Sequence, residues 1–156
     1  MTRINVGIRA KELCREHLLA EHREIKRTPN KVSKGKFVLK GMPSEFCLGT
    51  GHEKFFYDKL SYLKNRYEEL YKECCDRGYT VEYYGAIWDN IPILLLGNYK
   101  PTKKDRALLV NRINERLFIM QQTYLKKGRS EDVIIHVDFS TLNLTNIFEP
   151  NLKTRL

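Results

Sequence analysis

Three stretches of the chain repeat apolar residues at steps of three and four, the spacing that keeps side chains on one face of a helix. The first covers residues 10–26. The second covers residues 52–76, where Phe56, Leu60, Leu63, Tyr67, Leu70, Tyr71 and Cys74 form the stripe. It stops at Arg77-Gly78, a basic last turn followed by a glycine of the kind that closes helices. The third covers residues 103–122, with Leu109, Ile113, Leu117 and Met120 as its inner stripe. Thr102 is positioned to cap it, with Asp105 three residues on as the reciprocal partner. Residues 28–44 and 85–101 read as loops, and Val133-Ile134-Ile135-His136-Val137 reads as a short strand. There is no Ser/Gly linker, repeat or low-complexity stretch. The expectation is all-α: a compact single domain of three main helices with long loops over residues 1–128. A C-terminal extension, residues 129–156, is expected to pack on it.

Composition narrows the class. With 156 residues, 42% hydrophobic and 30% charged, the chain can bury a core without disulfides or metal. Its longest apolar run, Ile93-Leu94-Leu95-Leu96, is far short of the ~20 residues a membrane span needs, so no membrane association is expected. The first residues carry charge and no apolar segment, so no secretory signal is expected. Cys14, Cys47, Cys74 and Cys75 form no CxxC pair and read as reduced thiols of an intracellular protein. No His/Asp/Glu set has metal-ligand spacing, and no phosphate-loop or dinucleotide glycine motif is present. Neither a metal nor another cofactor is expected.

Charge then points to a partner. The net charge is +9, and the excess is concentrated at two places. Residues 1–36 hold ten basic and four acidic groups, and residues 100–127 hold eight and two. The remainder is mildly acidic. Two basic blocks around an acidic middle predict one polyanion-binding face assembled from both ends of the domain.

The first helix has an unusual inner stripe. His17 and Glu24 are seven residues apart, so they fall about 20° apart around the axis and two turns apart along it. Leu13 and Ala20 share that stripe, and Arg23 and Arg27 form an i, i+4 pair on the adjacent face. A carboxylate on a buried stripe is costly unless it has a partner or a task. A surface salt-bridge network, with the stripe shifted by one position, is the other reading of the same pattern.

Four ordered blocks resemble the phage pyrimidine-dimer DNA glycosylases, also called phage endonuclease V. The opening Met1-Thr2-Arg3-Ile4-Asn5 is similar to the start of that family. The segment from His17 through Ala20, Glu21, Arg23 and Glu24 to Arg27 resembles its H-L-x-A-E-x-R-E-x-x-R. Gly49-Thr50-Gly51-His52, followed by Phe55-Phe56-Tyr57-Asp58-Lys59-Leu60, resembles its G-x-G-H-x-x-F-F-Y-D-K-L. Ile91-Pro92 with Gly97, Tyr99 and Pro101 follows its I-P-x4-G-x-Y-x-P. The resemblance covers residues 1–128.

The resemblance implies a compact helical enzyme that acts, as a monomer, on damaged double-stranded DNA. Its nucleophile would be the α-amine of Thr2, exposed once Met1 is removed. An α-amine has a reference pKa of about 7.7–8, so much of it is neutral near pH 7 without deep burial. Attack on C1′ would expel the base and leave an imine, which acidifies C2′ and permits β-elimination of the 3′ phosphate. The resemblance puts the catalytic carboxylate at Glu24, stabilising the cationic sugar and moving protons. It puts DNA contacts at Arg3, His17, Arg23, Arg27, Arg112 and Arg116. In the aromatic-basic stretch of the family it leaves Tyr124, Lys126 and Lys127.

That last stretch is where the chain departs. The family pattern W-Y-K-Y-Y-G-K is here Thr123-Tyr124-Leu125-Lys126-Lys127-Gly128, with the tryptophan and two tyrosines gone. The stretch contributes to lesion recognition in the family. The same chemistry on an oxidised or ring-opened purine, or on an abasic site, therefore remains open. So does a DNA-binding relative without catalysis.

Overall fold

The computed structural model describes residues 4–127, with the side chain of Tyr124 excepted. The expected strand at residues 133–137 and the packing of residues 129–156 lie outside the described residues. Among those described there are four α-helices and no strand: α1 (Arg15–Ile25), α2 (Arg27–Ser33), α3 (Leu60–Asp76) and α4 (Lys103–Lys126). Short 3-10 turns at Ala10–Glu12, Lys54–Phe56, Gly85–Asn90 and Ile93–Leu95 connect them. The all-helical expectation holds, and the three expected helices are present: the first two start later than expected, and the third starts at Lys103 as expected and runs on to Lys126. The fourth, α2, occupies a stretch that the sequence reads as loop. Pro29 there marks the first turn of a helix, where a missing N–H costs nothing. The ring also denies the Ile25 carbonyl a bond from residue 29, so the axis breaks at Lys26 between α1 and α2.

The core is one cluster. α1 packs on α3, and α2 packs on the 3-10 turn at Gly85–Asn90. The α3 stripe is buried as expected through Leu60, Leu63, Tyr67, Leu70 and Cys74. Beneath it runs the N-terminal segment, in which Ile4, Val6 and Ile8 are all buried. Leu109, Ile113 and Leu117 attach α4 to the same cluster, and Arg106 bonds the Gly7 carbonyl and Glu12. Beyond Leu117 none of the described side chains of α4 is buried.

The helix ends follow the local chemistry. At the end of α3, Gly78 adopts φ +75°. Its N–H bonds the Cys75 carbonyl at 2.9 Å and the Tyr79 N–H bonds the Cys74 carbonyl at 2.9 Å, the paired closure that a C′ glycine permits. At the start of α3, the Gly97 carbonyl accepts from the Ser61 and Tyr62 N–H groups at 3.1 and 3.3 Å, satisfying donors that have no partner inside the helix. A Cβ at Gly97 would sit 2.1 Å from the Asp58 carbonyl oxygen, so only glycine fits. α4 opens with the expected reciprocal cap: Thr102 N–H to Asp105 Oδ2 at 2.7 Å, and Asp105 N–H to Thr102 Oγ1 at 3.2 Å. Burial raises the Asp105 carboxyl pKa, but hydrogen bonds from Tyr99 and Thr102 outweigh it and hold the group below its usual range.

Candidate active site

The first described residues are fixed in place by side chains from three parts of the chain. The Ile4 N–H donates to His52 Nε2 at 3.1 Å. The Asn5 N–H donates to Glu21 Oε1 at 3.1 Å, and Asn5 Nδ2 donates to Glu21 Oε2 at 2.7 Å. Glu21 is fully buried on α1. Arg66 of α3 grips it with Nε on Oε1 at 2.8 Å and Nη2 on Oε2 at 3.0 Å. The remaining arginine nitrogen, Nη1, donates to the Ile8 carbonyl and to Glu69. Burial alone would lower the Arg66 pKa, but the Glu21 charge and hydrogen bonds raise it further, so the guanidinium stays charged. A buried carboxylate is tolerated here because all of its lone-pair directions are occupied in a charge-assisted network.

Glu24 lies one turn further along α1. It is half-buried, and its Oε2 is buried without a hydrogen-bond partner among the described residues. The Thr28 hydroxyl, four residues on and hence on the same face, is fully buried and also without a partner among the described residues. His17 shares this side of α1 and is buried. It lines a small pocket with Asn5 and with Arg112, Ile113 and Arg116 of α4. The N-terminal part of the chain and α4 therefore meet at this pocket. Arg23 on α1 and Arg27 at the start of α2 are exposed, Arg112 is half-buried and Arg116 is exposed. Lys126 and Lys127 are exposed at the far end of α4, about 15 Å along the axis from Arg116 at 1.5 Å per residue. Thr2 and Arg3 lie outside the described residues, as does the side chain of Tyr124.

The stripe expected from His17 and Glu24 is present, but the sequence reading passes over its most buried member. Glu21 sits between them along the axis, about 40° around the helix from His17, and in the sequence it is legible only as one letter of a motif. The signal was an acidic residue at an inward position of α1 and a basic one, Arg66, between Leu63 and Leu70 on α3. Asn5 and His52 complete the set. A group of three or more His, Cys, Asp or Glu side chains able to hold a metal ion is not found among the described residues.

An anchored N-terminal segment, a half-buried carboxylate and the arginines of α1, α2 and α4 make up the candidate site. The profile of the pyrimidine dimer DNA glycosylase family matches residues 1–83. The chain belongs to that family, whose members are DNA-repair glycosylases with DNA as their substrate. The match includes the N-terminal segment, α1, the Gly49–His52 turn and α3. It ends before Arg112 and Arg116, which line the small pocket with His17 and Asn5. No helix among the described residues is long and apolar enough to cross a membrane.

Proposed function

We propose that the protein removes damaged pyrimidines from ultraviolet-damaged duplex DNA and cleaves the resulting site as an AP lyase, with the α-amine of Thr2 as nucleophile after loss of Met1. The amine nitrogen forms a bond to C1′ while the glycosidic bond breaks and the base leaves with its electron pair. Opening of the C1′–O4′ bond and loss of the N–H proton give an imine. Removal of the C2′ proton then forms the C2′–C3′ double bond and expels the 3′ phosphate. Glu24 faces the sugar, stabilises the developing cation and carries protons between these steps. Arg23, Arg27, Arg112, Arg116 and Arg3 hold the flanking phosphates, with His17 supporting the site between α1 and α4.

The observation that carries this reading is the anchoring of Ile4 to His52 and of Asn5 to Glu21. Chain geometry alone limits the Cα of Thr2 to about 7 Å from that of Ile4. Glu24 is about 4.5 Å along α1 from Glu21. The reading requires the amine of residue 2 to come within reach of the Glu24 carboxylate. Borohydride trapping on an abasic duplex, followed by peptide mapping, tests the reading. The adduct is expected on Thr2 and is expected to vanish when Met1 is retained or the amine is acetylated; an adduct on Lys34 or Lys36 would overturn it.

The eroded aromatic stretch at residues 123–128 favours a relaxed lesion preference within the same chemistry. Each lost base–aromatic contact removes about 1–3 kcal/mol. Abasic sites are expected to be cut robustly, with a modest preference for dimers over intact DNA that Tyr124→Ala reduces further. A panel of duplexes carrying a dimer, an abasic site or a formamidopyrimidine reads this directly.

A further inference from the structure

The Gly49-Thr50-Gly51-His52 turn has no part in the chemistry above, yet its geometry is tightly specified. Gly49 adopts φ +85°, a conformation costly for residues with a Cβ, and its carbonyl accepts from the His52 N–H at 3.2 Å. A Cβ on Gly51 would lie 2.7 Å from Pro43 Cγ and 2.8 Å from Cys47 Sγ. The turn therefore closes against its own loop and drives the His52 ring inward, where it is 2% exposed. Phe46 and Phe56 meet the ring edge-on, with centroids 5.3 and 5.4 Å away.

The hydrogen bonds fix which nitrogen carries the proton. Nδ1 lies 2.9 Å from the Cys47 carbonyl, which can only accept, so Nδ1 is the N–H. Nε2 is then a lone pair, and it receives the Ile4 N–H. A protonated ring would turn a donor toward that N–H and break the contact. The charged groups around the ring are Arg112 from α4, Glu21 from α1 and the adjacent Glu53. Burial holds the ring below its usual pKa, and Arg112 acts in the same direction, so the accepting form prevails at neutral pH.

The geometry points to His52 as a positioning residue for the N-terminal amine: the glycine turn presents neutral Nε2 to the peptide of Ile4 and so sets where the first residues of the chain are delivered. This rests on the reading that Thr2 is the nucleophile. His52 itself touches no substrate. Its effect is to hold the amine's tether, while Glu21 holds the next peptide.

The test is single-turnover borohydride trapping of the full chain with Met1 removed, on an abasic duplex, alongside equilibrium binding of the same duplex. His52→Phe keeps the aromatic packing and removes the acceptor. Its trapping rate is expected to fall on the order of tenfold to a hundredfold, the range expected when a reacting group is displaced by about 1 Å, with binding changed less than about threefold. His52→Gln retains an acceptor and is expected to recover most of the rate. A wild-type protein that gives no adduct at Thr2 overturns the nucleophile and the positioning role with it. A normal Thr2 adduct in wild type with an undiminished rate in His52→Phe overturns the positioning role alone. Should His52→Phe fail to fold, the pH profile decides. Amine protonation makes the rate fall in inverse proportion to the proton concentration in both wild type and His52→Gln, and loss of the His52 acceptor is expected to steepen the wild-type profile alone at pH below the lowered histidine pKa. Equal slopes overturn the proposal.

Discussion

On α1, Glu21 and Glu24 are three residues apart, and both turn toward the interior. Glu21 receives two bonds from Arg66 and two from Asn5. Glu24 keeps one buried oxygen without a partner among the described residues. A carboxylate whose every acceptor site is filled by the protein can only hold structure together. One that is desolvated on one side and unfilled retains acceptor capacity for a substrate or a proton. With Glu24 in the role proposed for it, the helix separates mounting from chemistry by one turn.

The comparison breaks most severely at Glu21. Glu21→Ala leaves the Arg66 guanidinium buried without its charge partner, and urea unfolding is expected to show a loss of about 3–5 kcal/mol. Replacing Glu21 and Arg66 together with leucines is expected to return a large part of that loss, because the penalty lies in the stranded charge. Glu24→Gln is expected to invert the pattern. Stability should stay within about 0.5 kcal/mol of wild type, while base release falls about 10²–10³-fold. Near-normal base release in that variant would make Glu24 a structural residue like its neighbour.

Much of this frame is legible in the sequence, for identifiable reasons. The periods of α3 and α4, the Gly78 closure and the Thr102–Asp105 cap depend on residues close together in the chain, and each appears where expected. The Glu21–Arg66 pair depends on two helices meeting 45 residues apart. A charged residue inside an apolar stripe reads as noise until its partner is in view. α2 was hidden for a different reason. Pro29 and Asn30 carry turn propensity, and only burial of Thr28, Pro29 and Val32 against the core makes that stretch helical. Among the candidate residues, Glu24 and His17 stand out by their spacing and take their roles only from the resemblance, whereas His52 is recognisable only as part of a motif.

Two smaller effects sharpen the contrast. If about six phosphates are held, log K should fall against log salt with a slope of roughly −5, and Arg23→Ala or Arg112→Ala should each lower its magnitude by about one. Glu24→Gln should leave the slope unchanged, which separates chemistry from grip. The smallest effect concerns His22, the third inward polar residue of α1. It stacks on Tyr67 with ring centroids 5.3 Å apart, and its Nε2 is buried without a partner among the described residues. Burial, with Lys26 adding to it, lowers its pKa from 6.5. Its contribution to stability is therefore complete above pH 6.5 and is lost as pH falls from there through the lower folded value. His22→Phe keeps the stack and is expected to be neutral or stabilising by up to about 1 kcal/mol at pH 7. Thermal unfolding between pH 7 and 5 should show a shallower decline in that variant, with the remaining decline attributable to His52.

The bond from Arg106 to the Gly7 carbonyl spans 99 residues, and this has a consequence in time. A ribosome adding about 5–20 residues per second leaves roughly 5–20 seconds between synthesis of Gly7 and of its partner. His52 and Arg66 arrive earlier but also well after the segment they hold. The start of the chain is thus made first and locked last. In the proposed reading, which needs Met1 removed, that delay lets an aminopeptidase trim the terminus before Arg106 is available to hold the segment behind it. Slowing translation between residues 66 and 106 would lengthen that window; fusing a folded domain ahead of Met1 would deny it altogether.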